Sequence, residues 1–123
     1  SVAGEIKKQN MTKVGLLGTI FTMEEDFYKK KLLDEYGIET IIPDLEDRKE
    51  VSRIIYDELC SGIISESSKV KYLEIIDKMK AEGAQGVIMG CTEIPLLLKE
   101  ASLPLFDTTE LHAKSAVDKI LNK

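Results

Sequence analysis

The chain is short of the residues that build cross-linked or metal-held folds. Its 123 residues include two cysteines, Cys60 and Cys91, and a single histidine, His112. Two cysteines do not make a disulfide framework in a domain of this size. With no Cys-x-x-Cys pair and one histidine, no dedicated metal site is expected, and a reducing, cytoplasmic setting fits best. No apolar run approaches the roughly 18 residues of a membrane span. Residues 1–10 are polar and charged and lack the apolar stretch of a secretory signal. Basic residues are outnumbered 17 to 22, a net charge of −5. The lysines are scattered, so no nucleic-acid footprint is expected. Lys29-Lys30-Lys31 reads as a solvated face. Gly15 and Gly18 form no Gly-x-Gly-x-x-Gly fingerprint, which argues against a dinucleotide site. The chain opens on Ser1 rather than methionine, so excision from a longer polypeptide is expected.

What is present is an ordinary globular balance, 43% apolar and 32% charged, in a chain long enough for one real core. Short β-rich runs alternate with helical patterns. Val14 to Leu17 reads as a buried strand that leaves at Gly18. Thr22 with Glu25 forms a capping box for a helix over about 23–36, ended by Gly37. Its acids come first and its lysines later, with Glu25–Lys29 and Asp26–Lys30 at i,i+4. Residues 39–42 form a second strand stopped by Pro43. Asp44 then caps a helix over about 45–59, with Val51, Ile54 and Ile55 as its apolar stripe. A third helix spans about 69–82, with Tyr72, Ile75, Ile76 and Met79 on one face. A strand over 86–89, a short helix over about 93–100, a strand over 103–106 and a last helix over about 109–121 complete the series.

Strands alternating with helices predict an α/β fold, a three-layer α/β/α sandwich around a four-stranded parallel sheet. The expected order is 2-1-3-4, as in flavodoxin-like sheets. Residues 1–12 read as a tail or the end of a preceding domain's helix, and residues 13–123 as the α/β domain. Ligands of such sheets bind outside the carboxyl ends of the strands. Those ends carry Thr19 and Thr22, then Cys91, Thr92 and Glu93, then Asp107, Thr108 and Thr109 with His112 one turn on. Cys91 stands just before a predicted helix, whose amide dipoles favour a thiolate and could receive a carboxylate. The competing reading is a small apolar cysteine filling a sheet–helix junction. Thr19 and Thr22 divide between local caps and substrate contacts. Glu93 divides between a first-turn carboxylate and a group that orients the cysteine or the substrate's amino group. His112 divides between a surface histidine and a rim residue.

Gly90-Cys91-Thr92-Glu93-Ile94-Pro95-Leu96-Leu97, preceded by Gly86-Val87-Ile88-Met89, resembles the second cysteine motif of the aspartate/glutamate racemase superfamily. Val14-Gly15-Leu16-Leu17-Gly18-Thr19, with Thr22, resembles the segment opening the second domain of aspartate racemases. Ile55-Tyr56-Asp57-Glu58-Leu59 before Gly62, and Leu105-Phe106-Asp107-Thr108-Thr109 before Leu111-His112-Ala113, resemble that family too. The four stretches fall in order over residues 13 to about 121. Glutamate racemases usually carry histidine where this chain has Glu93, so the resemblance points to the aspartate racemase branch.

The resemblance implies a two-domain enzyme with one cysteine from each domain facing across a cleft, without pyridoxal phosphate, other cofactor or metal. One thiolate takes the α-proton of an amino-acid substrate while the opposite thiol protonates the other face. It implies Cys91 as the catalytic cysteine, with Thr19, Thr22, Thr92, Glu93 and His112 as substrate-binding candidates. The departure is large: the first domain and its Cys-Asn-Thr motif are absent. Cys60 lies outside any such motif and reads as a buried structural cysteine. The isolated chain is therefore expected to be inactive. The alternative reading is a non-catalytic α/β fragment that binds a small acid or forms a homodimer through the face left by the missing N-terminal domain.

Overall fold

The computed structural model describes residues 2–107. It opens on helix α1 (Val2–Lys8), then strand β1 (Lys13–Leu17), helices α2 (Ile20–Glu24) and α3 (Asp26–Tyr36), and strand β2 (Glu39–Ile41). Helix α4 (Leu45–Asp57), a 3₁₀ turn at Leu59–Ser61 and helix α5 (Glu66–Ala81) lead to strand β3 (Val87–Met89), helix α6 (Ile94–Leu97) and strand β4 (Leu105–Asp107). The four strands form one sheet in the order β2-β1-β3-β4, and every pairing is parallel. The expected architecture and strand order are both observed. The last helix expected over 109–121, with Thr108, Thr109 and His112, lies outside the described residues.

The pleat of the central strands divides the core between two faces. Leu17, Val87 and Met89 pack with Ile54, Ile55, Tyr72, Ile75, Ile76 and Met79 of α4 and α5 and with Ile94 and Leu97 of α6. Val14, Leu16, Ile88 and Phe106 face the other way and pack with Ala3 and Ile6 of α1 and Leu32 of α3. The stretch over 1–12 is thus helical in part, and Ala3 and Ile6 are buried in this domain's own core. Gly15 explains how closely α5 approaches the sheet. A Cβ there would stand 2.7 Å from Met79 Sδ and 2.9 Å from its Cε.

Local chemistry sets the boundaries, and in three places it departs from expectation. Gly37 ends α3 at φ 67 as expected, and the Asp44 side chain caps α4 by accepting from the Asp47 amide. The first rim helix differs. Thr19, not Thr22, is the N-cap, because the Thr19 hydroxyl accepts the Thr22 amide at 3.3 Å. Glu25 is extended, so the expected continuous helix is two, and Lys29 pairs with Asp26 at i,i+3 rather than with Glu25. Helix α4 stops at Asp57 and tightens into the 3₁₀ turn, while α5 begins at Glu66, three residues ahead of its expected start. Asp47 is buried within α4 and is matched by Lys78 at 3.0 Å and Lys71 at 3.4 Å, which tie α4 to α5.

Candidate active site at the mouth of the sheet

The carboxyl ends of β1 and β3 are drawn together by one backbone bond, Gly90 N–H to Leu17 C=O at 2.7 Å. A side chain at Gly90 would meet that carbonyl at 3.1 Å and the Leu16 side chain at 3.2 Å, so glycine lets the two strand exits touch. The methyl of Thr22 lies 3.4 Å from where a Gly90 Cβ would be. The threonine loop and the cysteine loop are therefore neighbours. This contact brings Thr19, Thr22, Cys91, Thr92 and Glu93 to one rim.

Thr19 and Thr22 are partly buried, and their hydroxyls bond each other at 3.1 Å. That bond uses one of the two hydroxyl hydrogens. Behind them, the buried Ser52 of α4 accepts the Ile20 amide at 3.1 Å and anchors the loop. Ser52 was not among the residues singled out from the sequence, because a serine on a helix gives no signal of the loop it will meet. Tyr72 was read as core and is fully buried, with its hydroxyl donating to the Val51 carbonyl at 2.9 Å. That hydroxyl is pushed well above the ordinary tyrosine range, first by burial and next by the neighbouring Cys91.

Cys91 is half-buried, and its thiol donates to Glu93 Oε2 at 2.8 Å. Burial first, and then this bond to Glu93, push the thiol up to about 11. The thiol in turn, with the Thr92 side chain, holds the Glu93 carboxyl below its usual range. This corrects the expectation of a dipole-activated thiolate. Helix α6 is a single turn, and Cys91 precedes its first residue by three positions, with Glu93 standing at the N-cap. The Glu93 backbone N–H does bond the sulfur and favours the thiolate, but desolvation and the adjacent carboxylate outweigh it. Cys91 also packs against the core that α4, α5 and α6 form with the sheet, as the filler reading expects, while remaining only partly buried.

Cys60 differs from expectation as well. It is exposed, because Leu59 takes the buried position of the 3₁₀ turn and the next side chain points outward. A cleft of about 430 Å³ opens beside edge strand β4, with Met89, Leu98, Phe106, Glu5, Lys99 and Asp107 among its walls; Cys91 is not one of its lining residues. Among the described residues, no group of three His, Cys, Asp or Glu could hold a metal ion. No described helix is long and apolar enough to cross a membrane.

The family model for Asp/Glu/hydantoin racemases matches residues 1–116. The chain belongs to this family. Among solved structures, a proposed Asp/Glu racemase from Yersinia pestis is 53% identical to this racemase-family chain, with a TM-score of 0.92 over 98% of it. An aspartate racemase homologue from Pyrococcus horikoshii OT3 is 42% identical with a TM-score of 0.87 over 95%. The Picrophilus torridus aspartate racemase, at 23% identity and a TM-score of 0.68, shares the fold. The chain spans about half the length of these structures, 53%, 52% and 49% respectively. A Pectobacterium carotovorum protein, described only as uncharacterized and encoded in the pnlA 3′ region, is 30% identical over 96% of the chain and 74% of its own length.

Proposed function

We propose that this chain supplies one of the two proton-transfer groups of a cofactor-independent racemase acting on acidic amino acids, and that Cys91 is that group. The observation that carries the reading is a half-buried thiol just past the end of β3, hydrogen-bonded to Glu93 at 2.8 Å, in a chain of the Asp/Glu racemase family. Racemisation removes a proton from one face of the α-carbon and returns one to the other, so it needs acid–base groups on both sides of a planar intermediate. Cys91 serves one face. The Glu93 carboxylate suits the substrate's ammonium, while Thr19, Thr22, Thr92 and nearby amides suit its carboxylate. His112 is proposed as a further substrate-binding residue on the family resemblance alone.

The opposite face requires a second group, and we assign it to the part of the two-fold longer relatives that this chain does not span. The chain alone therefore binds but does not invert. The setting we propose is the cytoplasm, with the thiols reduced.

The test is a chiral assay of aspartate and glutamate with two samples. One is this chain alone. The other is this chain joined to the part of the Yersinia pestis relative that it does not cover. Racemisation by the joined protein, lost in Cys91→Ala, is expected. Cys91-dependent turnover by the chain alone would overturn the claim of inactivity. Unchanged turnover in the joined Cys91→Ala protein would overturn the role of Cys91.

A second reading is favoured by exposed apolar side chains. Phe21 beside Thr19 is 76% exposed and Leu96 on α6 is 53% exposed. In that reading the chain is a small-acid-binding fragment that pairs with a second copy.

A further inference from the structure

The two-base mechanism leaves open which group holds the proton when the site is empty, and the turn after β3 bears directly on that. Cys91 and Glu93 are two residues apart, yet their side chains meet, the sulfur donating to Oε2 at 2.8 Å. The turn is held by the Ile94 amide on the Cys91 carbonyl at 3.4 Å and the Leu96 amide on the Glu93 carbonyl at 3.0 Å. The Cys91 thiol first, and the exposed Thr92 side chain next, hold the Glu93 carboxyl below its usual range. The carboxylate is thus engaged by the thiol on a turn whose backbone is itself hydrogen-bonded.

We infer that Glu93 is a positioning residue that holds Cys91 as a thiol in the resting site, so that Cys91 enters the reaction as the proton donor. The inference rests on the reading of Cys91 as a proton-transfer group. A carboxylate accepts the S–H bond but repels a thiolate, and two anions at hydrogen-bond distance in a half-buried site disfavour each other. The forward step breaks the Cys91 S–H bond and forms a C–H bond on the planar α-carbon, whose electron pair takes the proton. The opposing group holds the α-proton it removed and releases it to solvent, while the thiolate left at close range from Glu93 takes a proton back from solvent, which restores the resting site. The free site therefore favours the enantiomer whose α-hydrogen points away from Cys91. The opposing group starts as the base.

The same bond suggests how substrate loosens the arrangement. An ammonium group arriving at Glu93 supplies a cation between the two acids. It competes with the thiol for the carboxylate and makes the thiolate easier to form.

The experiment is alkylation of this chain by iodoacetamide between pH 6 and pH 11, with the Cys91 peptide resolved from the Cys60 peptide by mass spectrometry. Burial first and the Glu93 bond next outweigh the Glu93 backbone N–H on the sulfur and, with Cys60 of the 3₁₀ turn and Tyr72 of α5 also acting electrostatically with the thiol, move it from an ordinary 9.0 up to about 11. At pH 8 the Cys91 rate should therefore fall about 100-fold below that of an unstructured cysteine peptide. Glu93→Gln removes the charge and should raise the pH 8 rate on the order of 10-fold, moving the profile to lower pH. Glu93→Asp keeps the charge but withdraws it and should give an intermediate profile, which also serves if the glutamine variant fails to fold. A Cys91 titration midpoint in the wild-type chain at or below the pH of the free peptide's midpoint would overturn the inference. So would variant profiles equal to wild type. These readouts need no turnover, so failure of the racemase reading in the joined protein is distinguishable from failure of the Glu93 assignment.

Discussion

Replacing Thr19 and Thr22 one at a time by valine separates two ways of building the same loop. Valine preserves the branched shape of threonine and deletes only the hydroxyl. Thr19 is extended at φ −65 and ψ 160, a conformation valine adopts freely, so no backbone strain enters. Thr19→Val removes the acceptor of the Thr22 amide and the partner of the Thr22 hydroxyl, two bonds at 3.3 and 3.1 Å. Loss of a side-chain N-cap costs about 1 kcal/mol, within a range of roughly 0.5–2. Thr22→Val removes only the hydroxyl pair at 3.1 Å and keeps the methyl against Gly90. In a partly exposed position that is about 0.5 kcal/mol. The first variant should lower Tm by about 3–6 °C and the second by half of that or less. Circular dichroism melts provide the ranking. Amide exchange provides the local check, since Thr22 N–H should lose protection in Thr19→Val. The reversed ranking, with Thr22→Val the more damaging, would show that Thr22 is the cap and would refute the loop described above.

Three further outcomes follow from the packing and the site. Ile54→Ala opens a cavity between α4 and the sheet at a fully buried position, and should cost about 2–5 kcal/mol by urea titration. A cost below about 1 kcal/mol would contradict that burial. Stability should also fall on the alkaline side. The Cys91 thiol titrates near 9.0 when unfolded and at about 11 when folded, so its contribution is complete below pH 9 and is lost as pH rises through 11. Cys91→Ser should flatten that part of the urea midpoint-versus-pH curve, and an unchanged slope would count against the shift. Finally, sedimentation of the chain at high concentration should show a dimer that Phe21→Glu dissociates. A strictly monomeric wild type would argue against pairing through the rim.

Much of the fold was legible because its signals are local and redundant. Gly37 can end a helix at positive φ at little cost, Asp44 is an unambiguous cap, and the Val51, Ile54, Ile55 and Tyr72, Ile75, Ile76, Met79 stripes each declare a buried face. The misses share a physical cause. Thr19 and Thr22 stand three residues apart, and each has an acceptor or carboxylate three residues on, so the capping pattern alone could not choose between them. The 3₁₀ turn breaks the helical period, which is why the exposed Cys60 and the buried Leu59 could not be sorted by spacing. Cys91 could be placed at the rim by topology. Its charge state could not be placed there, because the bond to Glu93 depends on a turn geometry that no periodicity encodes.

The most direct measurement of the central claim is α-hydrogen exchange in D₂O, followed by proton NMR on each enantiomer of aspartate. The sample is this chain joined to the uncovered part of the Yersinia pestis relative. With Cys91→Ala, inversion of both enantiomers should stop. The enantiomer whose α-hydrogen faces the remaining group should still exchange, because one base suffices to remove and return a proton on one face. Inversion at the wild-type rate in Cys91→Ala would contradict the claim that Cys91 carries the proton.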